Sequence, residues 1–143
     1  MAVHVAGQEQ PTWHNLMAWG CMAVSAKALV KGQLVQFGDP LSRDMSKRSS
    51  WGTGGSGKAI GVAEISPKRK HLVGSVALAH PGKPEFADSQ MYVMLIPQPK
   101  YDKDYTVIGR VIAGLDVVQK LQETDVIRRA TIKGQAPSGL GPR

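Results

Sequence analysis

Residues 91–96 (MYVMLI) form an unbroken apolar run too short for a buried helix, and they read as a strand covered on both faces. Residues 29–35 alternate imperfectly and end at Phe37, ahead of a Gly38-Asp39-Pro40 turn. Residues 59–65 and 73–79 have the same extended character and are separated by a basic turn over 67–71. Residues 105–112 and 126–132 complete the set of expected strands. A helical period appears over 114–121, where Leu115, Val118 and Leu121 share a face and Asp116 lies in the first turn. Thr12 is a candidate cap for a second helix reaching about Trp19, with Leu16, Met17 and Trp19 at core-facing spacings. Between these elements, 41–57 reads as a polar, glycine-rich loop, and 80–88 as a loop broken by Pro81, Gly82 and Pro84. Many short strands with two brief helices predict a mainly β protein, a barrel or a sandwich.

Length and composition agree with that picture. A chain of 143 residues is one domain, and 16 glycines and 9 prolines favour turns over a helical bundle. The single Cys21 excludes an internal disulfide and a thiolate metal cluster, and it reads as a small buried apolar residue. The net charge of +7 is uneven. Over residues 1–40, Lys27 and Lys31 balance Glu9 and Asp39, so the excess lies beyond, with runs at Lys68-Arg69-Lys70 and Arg128-Arg129. This predicts a weak attraction to polyanions, without an aromatic-rich basic strand on which bases would stack. No apolar run reaches the ~18 residues of a membrane span. The uncharged stretch 16–26 lacks the basic residues that should precede a secretory signal, so the expected location is the cytoplasm.

Some apparent motifs fail on physical grounds. Residues 52–58 (GTGGSGK) contain a G-x-G-x-x-G and most of a phosphate-binding loop. Either would need a buried strand before it and a helix after it, so that backbone N–H groups meet phosphate. The preceding 46–51 are too polar, the following residues look extended, and Ala59 replaces the hydroxyl that would hold magnesium. His4, His14, His71 and His80 share no metal-ligand spacing with an acid or a cysteine. Asp102 and Asp104, flanking Lys103, read as solvated loop acids, and Ser75 and Ser89 lack the context of an activated nucleophile.

Six further pieces occur in one order. Pro11-Thr12-x-x-Asn15 is followed by Leu34-Val35-Gln36-x-Gly38-Asp39-Pro40 and by Gly52-Thr53-Gly54-Gly55. Then come 74–79 (GSVALA), Ser89-Gln90-Met91-Tyr92 and 105–110 (YTVIGR). That series resembles the cyclophilin family of peptidyl-prolyl cis-trans isomerases over residues 11–134. The resemblance implies a closed antiparallel β-barrel capped by two short helices. Residues 1–10 stand as a short unassigned segment, and 135–143 as a flexible tail. The first strand of the family is expected to be missing or incomplete, because residues 1–10 are too few for it and its hairpin.

The implied activity is rotation about X–Pro bonds in proteins, as in protein folding, with proline-containing peptides or unfolded segments as partners. The chain is expected to act as a monomer without cofactor or metal. By resemblance, Leu34, Tyr92 and Tyr101 contribute the proline-ring pocket, and Gln36 and Gln90 contribute amide contacts. The backbone at Ala79-His80 pairs with extended peptide, Gly52 allows close approach, and Tyr105 stands where many members have a histidine. Lys100 stands where some have a tryptophan. Counting back from Gly38-Asp39-Pro40 puts Ala28 at the position of the family's catalytic arginine, with Lys27 on the opposite strand face. No catalytic residue is therefore assigned. The departures cluster in residues 1–28, so the amino-terminal part reads as divergent or truncated. The expectation is an impaired isomerase, with a non-catalytic proline-peptide binding module and a basic polyanion-binding β domain as alternatives.

Overall fold

The structure is a computed structural model and describes residues 4–7, 22–23, 32–123 and 125–130. The helix expected at 12–19, Cys21, Ala28 and the tail at 135–143 lie outside the described residues. The strands are β1 (His4–Gly7), β2 (Met22–Ala23), β3 (Leu34–Phe37), β4 (Ser75–Leu78), β5 (Met91–Met94), β6 (Val107–Ala113) and β7 (Val126–Ile127). A helix, α1 (Leu115–Lys120), follows β6. Five strands form one antiparallel sheet in the order β1-β6-β4-β5-β3, while β2 and β7 make a separate two-stranded ladder.

The first four residues of the continuous apolar run become the doubly covered strand, all of β5 being buried between β3 and β4, while Leu95 and Ile96 turn away and Ile96 is exposed. Alternation then sorts side chains onto two faces. One carries Val35, Val76, Leu78, Met91, Val93 and Ile108, closed by Ala87 and by Val118 of α1. The opposite face carries Leu34, Ala77, Tyr92, Met94 and Val107, with Ala79, Tyr101 and Tyr105 packed against them.

Several expectations are corrected. Residues 59–65 are not a strand: Gly61 turns to φ +75°, and Val62, Ala63 and Glu64 are exposed, so the run follows no buried face. Its backbone instead bonds the 3-10 turn at Pro84–Phe86, with Ile60 N–H donating to Ala87 O at 2.8 Å and Gly61 N–H to Glu85 O at 3.0 Å. The polar stretch 41–57 contains 3-10 helices at Pro40–Arg43 and Met45–Ser50, each started by an aspartate, Asp39 or Asp44, whose carboxylate accepts an N–H two residues on. The segment 1–10 supplies a strand, β1, along the edge of β6. Among the described residues the sheet is open rather than closed into a barrel: β7 is two residues long and bonds only β2. Of the two expected helices only α1 falls among the described residues, and none of their helices is long and apolar enough to cross a membrane.

Candidate peptide-binding groove

The second face of the sheet opens into a groove of about 340 Å³. β3 supplies Leu34 and Gln36 to it, two residues apart and so on one face, and Tyr92 of β5 is the cross-strand partner of Gln36. Ala79 and His80 leave the end of β4, and Gly52 comes from the glycine-rich loop. Tyr101 and Tyr105 flank the turn after the 3-10 helix Pro99–Tyr101. Gln90 does not line the cavity but stands directly behind it, two residues before Tyr92. Eight of the nine residues expected to share a site thus line this groove, with Gln90 behind it, and five separate segments bring them together. Trp51 and Thr53, which sequence reasoning passed over, also line the groove. The lone tryptophan in a polar run was the available clue: Trp51 is fully buried, with its indole N–H donating to Asp44 O at 3.1 Å.

The polar wall has a direction. Gln90 Nε2 donates to the Gly54 carbonyl at 2.6 Å, which leaves Gln90 Oε1 to accept from Gln36 Nε2, also at 2.6 Å. Gln36 therefore retains one N–H and its Oε1 for a ligand. The Gly54 carbonyl is held in place because the loop wraps aspartates rather than phosphate. Buried Asp39 accepts from the N–H groups of Leu41, Gly52 and Gly54, and Asp88 accepts from those of Gly57 and Lys58 and from the Ser56 hydroxyl. A Cβ on Gly54 would lie 2.4 Å from Asp39 Oδ1, so the tight wrap requires glycine there. The loop has the anion-coordinating chemistry its sequence suggests, directed at internal carboxylates.

The aromatic floor is held by ring edges. Tyr92 and Tyr105 meet at 5.8 Å and 84°, and Tyr101 and Tyr105 at 5.3 Å and 64°, both edge-to-face. His80 stacks on Tyr105 at 4.3 Å. Gly82 N–H donates to His80 Nδ1 at 3.2 Å, so His80 Nε2 carries the proton and donates to Asp104 O at 2.7 Å. Lys100 Nζ sits 5.6 Å over the Tyr101 ring at the rim. No Arg or Lys is among the described residues lining the groove.

Beneath the floor lies a pair that the sequence did not reveal. His71 is 1% exposed, with Nδ1 2.9 Å from Asp102 Oδ1 and Nε2 2.9 Å from the Tyr92 hydroxyl. Asp102 is thus no solvated loop acid; it also accepts the His71 backbone N–H at 2.7 Å and lies 3.6 Å from Lys70 Nζ. That backbone hydrogen bond is the main reason its carboxyl stays below the usual carboxylate range. Burial pushes the His71 imidazole down against the opposing pull of Asp102, and burial pushes the Tyr92 phenol well up. An Asp-His-hydroxyl series suggests nucleophilic chemistry, but a Tyr92 hydroxyl turned inward and held un-ionised cannot attack a bound ligand. Ser75 and Ser89 are spent on backbone carbonyls of Lys70 and Gly38, at 2.8 and 2.7 Å. The hydroxyls of Tyr92, Ser75 and Ser89 are thus all committed to partners inside the protein.

The profile of the cyclophilin type peptidyl-prolyl cis-trans isomerase/CLD family matches residues 22–136. The chain belongs to that family. It is 31% identical over 113 residues to a probable peptidyl-prolyl cis-trans isomerase of Brucella abortus, covering 77% of this chain and 57% of the relative. It is 38% identical over 98 residues to peptidyl-prolyl cis-trans isomerase-like 3 of Gallus gallus, covering 68% of this chain and 56% of the relative. This cyclophilin-family chain thus spans just over half the length of those curated relatives. The crystal structure of a Cryptosporidium parvum cyclophilin type isomerase has the same fold, at TM-score 0.60 and 21% identity, over 85% of this chain and 83% of that one.

Proposed function

We propose that the groove binds X–Pro segments of proteins and accelerates their cis-trans exchange weakly. The observation that carries this reading is the convergence of an aromatic floor (Tyr92, Tyr101, Tyr105) and an oriented amide wall (Gln36, Gln90) in a single groove. Rotation about an X–Pro bond faces a barrier of about 20 kcal/mol from amide resonance. It needs no nucleophile, only a site that favours the twisted amide over the planar forms. An apolar floor holds the pyrrolidine ring, and the free Gln36 N–H and Oε1 engage the flanking backbone. The related Cryptosporidium parvum protein was solved in the presence of the dipeptide Ala-Pro, which supports the same ligand class here.

The rate is expected to be low because the groove's described lining holds no cation. Loss of one positioned donor costs on the order of 10²–10³ in rate. Exchange spectroscopy on an Ala-Pro peptide tests this. Weak acceleration that rises on Ala28→Arg and is abolished by Tyr92→Ala supports the reading. Binding without any acceleration, in both the native chain and the arginine variant, would leave a proline-peptide binding module, the alternative that Ala28 at the family's arginine position suggests. Binding that survives Tyr92→Ala but collapses between low and moderate salt would replace both with polyanion binding through the basic surface.

A further inference from the structure

The hydrogen bonds below the groove floor run in one direction. An ionised carboxylate only accepts, so His71 Nδ1 carries the proton that bridges to Asp102 at 2.9 Å. Nε2 of the neutral ring can then only accept, and the hydroxyl of Tyr92, 2.9 Å away, must donate. The groups facing the imidazole are few. They are the Asp102 carboxylate with Lys70 on its other oxygen, the Tyr92 hydroxyl, and the rings of Tyr101 at 5.8 Å and Tyr105 at 6.4 Å. Among the described residues, Nε2 is the group seen hydrogen-bonded to the Tyr92 hydroxyl. The groove floor is thus anchored from behind by a carboxylate 31 residues away from the histidine it orients.

We propose that Asp102 and His71 are positioning residues that lock Tyr92 with its hydroxyl directed inward, so that this residue presents its ring to the groove with its own donor already used. The inference rests on the peptide-binding reading and deepens it, since neither residue touches the groove. A prolyl ring is then met by the Tyr92 ring, whose polar end is already satisfied. Removing the acceptor leaves a buried hydroxyl unpaired, and the ring must shift or admit water to recover a partner. A proton on Nε2 has a related effect: the imidazolium donates to the Tyr92 oxygen, and the phenolic hydrogen turns away from it. Peptide affinity should therefore weaken in acid. Because burial depresses the imidazole, the change falls below its ordinary value of 6.5.

The test uses the full chain, nitrogen-15 spectroscopy of the imidazoles and titration with an Ala-Pro peptide. At neutral pH the resonances absent from His71→Phe should report a protonated Nδ1 and a bare Nε2. His71→Phe should weaken peptide binding about 10-fold through the unpaired hydroxyl. The double variant His71→Phe with Tyr92→Phe should bind within about twofold of Tyr92→Phe alone, because removing both partners leaves nothing unsatisfied. Multiplicative losses in the double variant, or a protonated Nε2 in the native chain, would overturn the inference. If His71→Phe fails to fold, Asp102→Asn carries the test, since its side chain reaches the surface at 13% exposure. It should scramble the tautomer and weaken the peptide together; a changed tautomer with unchanged affinity refutes the positioning role. A native chain with the expected tautomer but no peptide binding would sink the peptide reading and this role with it. A wrong tautomer with intact binding would sink this inference alone.

Discussion

The two faces of the five-stranded sheet are built from neighbouring residues and behave differently. Val76 and Leu78 point to the aliphatic face while Ala77 between them points to the groove face; Met91 and Val93 pair with the first, Tyr92 and Met94 with the second. The aliphatic face is carried by Val35, Val76, Leu78, Met91, Val93 and Ile108, and Val118 of α1 helps to close it. Its stability follows from volume and burial alone. The groove face buries a phenol and an imidazole that each require an acceptor or donor, and the glycine-rich loop brings a buried carboxylate to its edge. Burial of polar groups constrains orientation as well as occupancy, which is why the groove side is also the side with directed hydrogen bonds.

The largest expected effect lies at the loop. Asp39→Ala removes the acceptor of three backbone N–H groups within the interior and should lower unfolding free energy by about 3–4 kcal/mol, measured in denaturant. A loss under about 1 kcal/mol would mean that water replaces the carboxylate and that the polar side is no more constrained than the aliphatic one. Next come paired truncations across the sheet. Leu78→Ala and Tyr92→Ala should each cost about 2–5 kcal/mol. Only the tyrosine change should abolish peptide binding; equal loss of binding in both would erase the functional distinction between the faces.

The comparison also predicts a pH dependence carried by one face. His71 is pushed down in the folded chain, so the unfolded chain takes up its proton first. Its contribution is intact above the ordinary imidazole value of 6.5 and declines as the pH falls below it. Asp102 is also depressed, and the stability it confers is lost as pH falls through and below its ordinary value of 3.8. Both slopes run the same way, so melting temperature should drop steadily with acid. The part below 6.5 should flatten in His71→Phe, whereas Leu78→Ala should shift the whole curve without changing its shape. The smallest effect is expected at Thr106, which is 2% exposed with a hydroxyl lacking any partner among the described residues. Thr106→Val should raise stability by up to about 1 kcal/mol.

How far the chain's text led differs between the fold and the site. Residues 91–94 of the apolar run, the helical face of Leu115, Val118 and Leu121, and the turn at Gly38-Asp39 all depend on local patterning and appear where patterning puts them. Residues 59–65 carried a similar extended pattern but had no neighbouring strand to pair with, and Gly61 diverted the backbone. At the site, Gln36 and Gln90 were legible through the motifs that resemble the family. Their partnership across 54 residues was not. Asp102 looked solvated because its neighbours Lys103 and Asp104 are exposed, yet its own side chain turns inward to His71.

By itself, the order of residues located the central strand, the helix after β6 and the family of folds that the pattern serves, though it read 59–65 as a strand that does not form. Those properties depend on periods of two and 3.6 residues, and a linear text displays such periods directly. Only the three-dimensional arrangement decided that the glycine-rich loop closes on aspartates instead of phosphate, and that a histidine and an acid from distant turns sit under a groove tyrosine. Hydrogen-bond partners are chosen by proximity after the chain has collapsed, and proximity across tens of residues leaves no periodic trace in the sequence.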